Sequence, residues 1–364
     1  MDTIHPTTIS RRSADPREQD LDLDGLFAAL FSDDGAQDPY PFLRRYHGPG
    51  VTHGLALRVL RDRRFRNRTM PASEHAMWSS FGRWPISLKG VEHSRMRALA
   101  ATPFARHLVD GYVPTIDRVT RTLLDSMEAS SQPVELMSAY AYRVPIQVIA
   151  ALMGVPEEDR PKLDAPLMRL GTALERQRDP AWVAAGDGAI DALNAYFEPL
   201  LHDRRRRPSD DLLSALAAGT DVAFATVLAN AIFLMVAGHQ TTMATIGSCV
   251  LMLLQRGDQM ALIRERPDLA SSAIEESLRF QSPVQITERT ALATLDVDGF
   301  RFEPGDYVPI FNGAVNRDPG VFPDPDRFEI ARDPNPHLAF TAGPHFCLGA
   351  PLARLEASMA LAAS

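Results

Sequence analysis

The sequence predicts a mainly α-helical fold with a small β region late in the chain. Three observations carry this. Apolar residues recur at helical spacing over most of 92–280, the period of a helix with one buried face. Strand-like runs are short and confined to 287–293, 295–302 and 307–311. The 364 residues are 45% hydrophobic and 23% charged, which is enough apolar material for one large core. We see no internal repeat, and expect one domain over 1–364 with a polar N-terminal arm at 1–37.

The elements follow in order. Residues 1–38 are polar and Asp-rich, with a short helix expected near Leu21 to Phe31. The "DPYP" stretch opens a helix toward Leu60, since proline suits a first turn. Residues 66–90 have no clean period and carry Trp78, Phe81 and Trp84; they read as a long loop, and such loops are often functional. Met96, Leu99, Ala100, Val109, Val113, Ile116, Val119, Leu123 and Leu124 then mark helix over 92–130. Helices continue to a stop at Gly154, a residue suited to the left-handed C-terminal cap. Pro156 to Asp159 starts the next one. Further helical patterns cover 180–206, 210–217, 221–255 and 268–280, and 316–336 is a Pro- and Asp-rich irregular connector.

Bulk properties exclude several classes. Net charge is −8, and the basic run Arg204 to Arg207 is followed by Asp210 and Asp211. It reads as a solvated helix end, so no nucleic-acid partner is expected. The N-terminus has no apolar core and resembles neither signal peptide nor anchor. The apolar run 222–237 contains Asn230 and falls short of the roughly 18 residues of a membrane span, so it reads as a buried core helix. Two cysteines, Cys249 and Cys347, make no disulfide framework and fit a reducing cytoplasm. Dinucleotide fingerprints, phosphate loops, His-Glu-x-x-His motifs, paired CxxC motifs and a serine nucleophile elbow are all missing.

Cys347 lies in "HLAFTAGPHFCLGAPLARLE". A free cysteine is most often a small buried hydrophobe. Here the neighbours point elsewhere. Gly343 and Gly349 flank it and permit tight turns and close approach of a flat group. A helix is expected to begin near Gly349, and its N-terminal amides favour a thiolate. His345 offers a donor, and Phe340 a cover for one face. A thiolate held by amides against a flat group suits an axial haem ligand.

Phe340-x-x-Gly343-x-His345-x-Cys347-x-Gly349 matches the haem-binding signature of the cytochrome P450 family, which the chain resembles over about residues 38–364. The resemblance implies the P450 fold, haem b with Cys347 as axial thiolate and only metal ligand, and activation of O2. Other segments agree in order. Glu276-Ser-Leu-Arg279 resembles the E-x-x-R pair, and "FPDPDRF" the following meander, with Arg327 as the expected partner of that pair. Taken alone, such pairs are ordinary helix ion pairs, and the family's role for them is structural. His93 and Arg97, four apart on one helix face, resemble the family's propionate-binding pair, with Arg289 and His345 as further contacts.

Ala237-Gly238-His239-Gln240-Thr241-Thr242 resembles the oxygen-activation motif A-G-x-[DE]-T. A helical glycine costs about 1 kcal/mol against alanine, so Gly238 suggests close approach to the backbone. Thr241 stands at the family's threonine and Gln240 replaces its acid. Glutamine donates and accepts hydrogen bonds but does not titrate, so proton delivery is expected to run through ordered water, slower or rerouted.

The resemblance also implies electrons from NAD(P)H through a separate ferredoxin and ferredoxin reductase, docking on a basic face near Arg354. Trp78, Phe81, Trp84, Leu234, Val284 and Ile286 are candidate pocket residues, although aromatics in such places are more often core. The expected activity is hydroxylation or related oxidation of a medium-sized apolar or carrier-bound substrate, in secondary-metabolite biosynthesis. Oxidative coupling or rearrangement is an alternative. A helper protein without haem is another, since relatives of that kind exist; they typically lose the cysteine. The family's usual hairpin after "DPYPFLRRYHGPG" looks reduced here, and its C-terminal end truncated.

Overall fold

The computed structural model describes residues 39–43, 52–67, 73–176 and 179–364. The helices that matter for the site are α1 (His53–Arg61), α2 (Ala76–Phe81), α3 (Gly90–Ala101), α4 (Val113–Glu128), α5 (Arg143–Leu152) and α6 (Arg160–Glu175). They continue as α7 (Pro180–Arg206), α8 (Phe224–Leu254), α9 (Gly257–Glu265), α10 (Ala270–Phe280) and α11 (Ala350–Ala363). The strands are β1 (Phe65–Arg66), β2 (Ile286–Ala291), β3 (Leu295–Val297), β4 (Phe300–Phe302) and β5 (Tyr307–Phe311). The described residues form two compact units, those within 1–68 with 275–347, and those within 69–274 with 348–364.

The larger unit is helical. Its core joins Leu167 and Leu170 of α6, Leu193 and Phe197 of α7, and Val227, Ile232 and Met235 of α8, all essentially without solvent exposure. Among the described residues α8 is the one helix long and apolar enough to cross a membrane. Asn230, His239, Thr242 and Thr245 are buried along it, and an all-round apolar helix is what a core position demands. Proline at 103 breaks the 92–130 pattern into α3, short turns and α4.

In the smaller unit β1, β2 and β5 form an antiparallel sheet, with Arg289 opposite Val308. Leu55, Val59 and Leu60 of α1 share its core with Phe65, Phe302 and Ile310. The run 295–302, expected as one strand, is instead the hairpin β3–β4. Asp298 and Gly299 take φ of 52° and 82°, the geometry that an Asp-Gly turn supplies between two strands.

Two further expectations change. The stretch 66–90 contains α2, too short to show a period; its first turn is tied by Asp187, which accepts from Met77 N (2.8 Å) and meets His75 Nδ1 at 2.7 Å. Helix α9 was not expected at all. The helix near Leu21 to Phe31 and most of the segment of the reduced hairpin lie outside the described residues.

Candidate functional site

In the smaller unit, Cys347 is half-buried, whereas Cys249 is fully buried with its thiol 3.7 Å from the Ala273 carbonyl oxygen. Cys249 is therefore the packing cysteine. The Cys347 loop is closed by its own backbone: Cys347 N donates to the Phe340 oxygen at 3.0 Å, and Phe346 N to that of Gly343 at 3.0 Å. Gly349 caps α11 and accepts from Ala353 N at 2.9 Å, so Cys347 stands just ahead of a helix N-terminus. His345 is half-buried in the turn Gly343–His345. The Phe340 ring lies 6.0 Å from that of His337 and 6.5 Å from that of Phe346.

Gly343 supplies the tight turn expected of it and has a packing reason besides. Its φ is 70°, and a Cβ there would lie 2.5 Å from the Leu60 oxygen of α1. The glycine lets the loop pack on a helix end, while Gly349 is open, with only Phe104 at 3.9 Å. Gly343→Ala is expected to lower stability by about 1–3 kcal/mol, the cost of a strained backbone, because a backbone oxygen has no rotamer to escape to. Urea melts of the variant and wild type check this; equal midpoints refute it.

The loop's surroundings are set by a buried ion network in the same unit. Glu276 and Arg279 of α10 are fully buried and bidentate, at 2.8 Å for each pair. Arg279 also donates to the carbonyls of Asn316, Pro325 and Arg327. The third charged partner is Arg332, whose Nε lies 3.2 Å from Glu276 Oε2. This corrects the expectation for Arg327, which has an exposed side chain and contributes only its carbonyl. Charge spacing along "FPDPDRF" cannot tell a backbone acceptor from a side-chain partner. Asn316 completes the link, accepting from Leu338 N at 2.7 Å just before Phe340.

The expected cationic groups have unequal settings. Arg289 on β2 is 2% exposed. Among the described residues it meets no carboxylate: its guanidinium donates to the Glu288 carbonyl at 2.8 Å and, at 3.5 Å, to Thr341 Oγ1. Burial holds its pKa down to about 10, so it stays cationic at neutral pH. A buried cation without a counter-charge is costly, and a ligand carboxylate would supply what is missing. In the larger unit, His93 and Arg97 lie on one face of α3, His93 buried and Arg97 half-buried. Burial, and then the Arg97 charge, push the His93 pKa down, leaving a neutral ring beside a cation. Each of these settings, within its own unit, suits a carboxylate partner such as haem carries.

Helix α8 carries the oxygen-side motif. Thr241 Oγ1 donates to the Ala237 oxygen at 3.0 Å, a turn back along the helix. A Cβ on Gly238 would lie 2.7 Å from Ile149 of α5; the close approach expected at this glycine is made by a neighbouring helix. Gln240 is seated in a notch of α6, its Nε2 lying 1.4 Å from where a Gly171 Cβ would be. His239 is buried, donates or accepts through Nδ1 with the Met235 oxygen at 2.7 Å, and lies edge-on to Tyr142. Glu356 of α11 is buried, its Oε2 meets no hydrogen-bond partner, and burial pushes its pKa up to about 8, against a smaller downward pull from Thr242. Glu356 escaped the sequence reading, although Leu352, Glu356 and Ala360 recur every four residues on the buried face of α11, a signal that was available.

Of the candidate pocket residues, Trp78, Phe81, Trp84 and Leu234 belong to the larger unit and Val284 and Ile286 to the smaller. Trp84 is a core residue, 3% exposed, with Nε1 donating to Ser80 Oγ at 3.3 Å. Trp78 and Phe81 continue the same aromatic ladder toward Trp84 and Phe233. Leu234 is buried, Ile286 half-buried and Val284 exposed. Arg354 is half-buried on α11.

Comparison with known proteins meets this geometry. The Cytochrome P450 family profile matches residues 255–364. The biotin biosynthesis cytochrome P450 of Bacillus subtilis (strain 168) is 36% identical over 83% of this chain and 78% of its own. Cytochrome P450 monooxygenase PikC of Streptomyces venezuelae is 35% identical over 91% and 84%. The crystal structure of P450BioI in complex with hexadec-9Z-enoic acid-ligated acyl carrier protein superposes with a TM-score of 0.85, at 33% identity, covering 90% of this chain and 91% of that one. With whole-length relatives of this kind, a mostly helical fold and a thiol loop tied to a buried Glu-Arg pair, the chain belongs to the cytochrome P450 family, the haem-thiolate oxidoreductases that work as monooxygenases.

Proposed function

We propose that this protein is a cytoplasmic haem b monooxygenase of secondary metabolism, working as one domain over 1–364, with Cys347 as the axial thiolate. The observation that carries the reading is the half-buried Cys347 thiol at the head of α11, in a loop locked by Gly343 and the Glu276–Arg279–Arg332 network. Bound haem supplies O2 activation, helped by the electron push of a thiolate. Arg289, Arg97, His93 and His345 would hold its propionates, the uncompensated burial of Arg289 being the strongest support. Thr241 steadies hydrogen bonding on α8. Electrons come from NAD(P)H through a ferredoxin and its reductase, with Arg354 on the docking face; Arg354→Glu is the variant that tests this.

The substrate is a medium-sized apolar molecule, free or attached to a carrier protein. Support comes from relatives: P450BioI was solved with an acyl-loaded carrier protein, and the polyketide biosynthesis cytochrome P450 PksS is 34% identical over 75% of this chain. The test has two steps. Reduced protein under carbon monoxide should show the red-shifted Soret band of thiolate-ligated haem; a colourless protein would return the helper reading. A panel of free and carrier-bound acyl and polyketide substrates then identifies the product. A coupled or rearranged product would favour the second reading, which the missing acid at Gln240 supports. Gln240→Glu is expected to raise product formed per NAD(P)H consumed, and an unchanged ratio would show that position 240 takes no part in proton supply.

A further inference from the structure

We propose that the cavity between α4, α5 and the first turn of α6 binds a phosphate dianion, free or carried as a monoester on a small molecule. The cavity lies within the larger unit and has a volume of about 230 Å³. Its residues are ones that the monooxygenase reading does not use, so the proposal does not rest on that reading. Arg118 of α4, Arg143 and Gln147 of α5, and Arg160 and Asp164 of α6 line it, with Glu157 from the turn before α6. Three guanidiniums from three helices thus face two carboxylates, and the excess charge is positive in a chain whose net charge is −8.

The three cations are unequally satisfied. Arg143 is well paired: its Nη1 lies 3.0 Å from Asp164 Oδ2, and Asp164 Oδ1 accepts from the Tyr142 hydroxyl at 3.2 Å. Arg118 and Arg160 converge on one oxygen. Glu157 Oε1 lies 3.3 Å from Arg118 Nη2 and 3.6 Å from Arg160 Nη1. The first is a long hydrogen bond and the second is too long to be one. Arg160 decides the matter. Its side chain is only 15% exposed. Among the described residues it makes one hydrogen bond, from Nε to the Val155 oxygen at 3.4 Å, although a guanidinium carries five N–H donors. Burial lowers its pKa from the ordinary guanidinium value; Glu157 pulls it back up, and the Arg118 charge pushes it down. A largely desolvated cation with idle donors is costly. Glu157 offsets little of that cost, because its side chain is 66% exposed and offers both arginines a single oxygen. A carboxylate ligand would only repeat what Glu157 provides. A phosphate dianion has oxygens for both guanidiniums and pairs with each in bidentate fashion. It would displace Glu157 into solvent and leave the Arg143–Asp164 pair in place.

Thermal melts of the full-length, haem-loaded protein test this, because a ligand that binds the folded state raises the midpoint with its concentration. Inorganic phosphate, glycerol 3-phosphate and acetate are titrated at fixed ionic strength. Both phosphates should raise the midpoint along a saturating curve, and acetate should not. Tighter binding of glycerol 3-phosphate would assign the site to a monoester, and tighter binding of inorganic phosphate to the free ion. Arg160→Gln should weaken binding about tenfold, the effect of losing charge-assisted hydrogen bonds. Glu157→Gln removes the competing carboxylate and should tighten binding severalfold. These opposite signs separate a site from general stabilisation by an excluded salt, which neither variant would alter. No rise with either phosphate, a rise equal in wild type and Arg160→Gln, or weaker binding in Glu157→Gln overturns the proposal. If Arg160→Gln does not fold, Glu157→Gln and Arg118→Gln decide, both side chains being exposed; Arg118→Gln should weaken binding, and unchanged affinity in that variant overturns the proposal too.

Discussion

Cys347→Ser is expected to abolish the red-shifted Soret band of the reduced, carbon monoxide-bound protein and all product formation, while the helical circular dichroism of the chain stays at the wild-type level. The two halves of this expectation have separate physical grounds. Cys347 is half-buried, and its loop is held by main-chain bonds from residues 346 and 347, by Gly343 on α1 and by the Asn316–Leu338 link. None of these uses the thiol, so its loss leaves the fold standing. A serine hydroxyl near pH 7 stays protonated, whereas a thiol close to a helix N-terminus is readily ionised. Only the thiolate gives haem the electronic character that moves the band. A Cys347→Ser protein that kept the shifted band would assign the ligand elsewhere; Cys249, wholly buried against the Ala273 carbonyl, is a poor substitute.

Arg279→Ala should be the most destabilising single change in the smaller unit, by about 3–5 kcal/mol, the usual result of removing one partner from a buried ion pair. Both Glu276 and Arg279 are completely buried. Without Arg279, Glu276 keeps Arg332, Asn335 and the Glu329 amide. Three main-chain carbonyls, of Asn316, Pro325 and Arg327, lose their donor at the same time. Arg279→Lys should recover little, because an ammonium cannot span a bidentate carboxylate and three carbonyls as a planar guanidinium does. Arg327→Ala is the control: its carbonyl survives the change and its side chain is exposed, so the urea midpoint should hardly move. If Arg327→Ala cost more than Arg279→Ala, the assignment of the network would be wrong.

These two residues show how differently parts of the protein can be read from the chain. Cys347, its flanking glycines and His345 sit in one short window, and the chemistry of a thiol ahead of a helix is a local property. The same holds for the helical periods of 180–206 and 221–255, which became α7 and α8 almost residue for residue. Local turn chemistry was present but under-weighted at Asp298-Gly299, where one expected strand is a hairpin. A six-residue helix such as α2 is too short to declare a period, and it depends on Asp187, more than a hundred residues away.

Partner identity is where the chain alone falls silent. Glu276 and Arg279 are legible as an i,i+3 pair, but the choice of Arg332 over Arg327 depends on how 316–336 folds back over α10. Gly238 and Gly343 both read as points of close approach, but that the neighbours are Ile149 of α5 and the Leu60 carbonyl of α1 is set by packing. Gln240 reads as a lost acid, and only packing puts its amide on Gly171 and buries a second carboxyl, Glu356, on α11. Residue type and spacing set what each group can do: ionise, donate, coordinate or break a helix. Which groups are desolvated and which meet is set by contacts between segments far apart in the chain, because burial and pairing are properties of the packed molecule and have no signature in a single stretch of sequence.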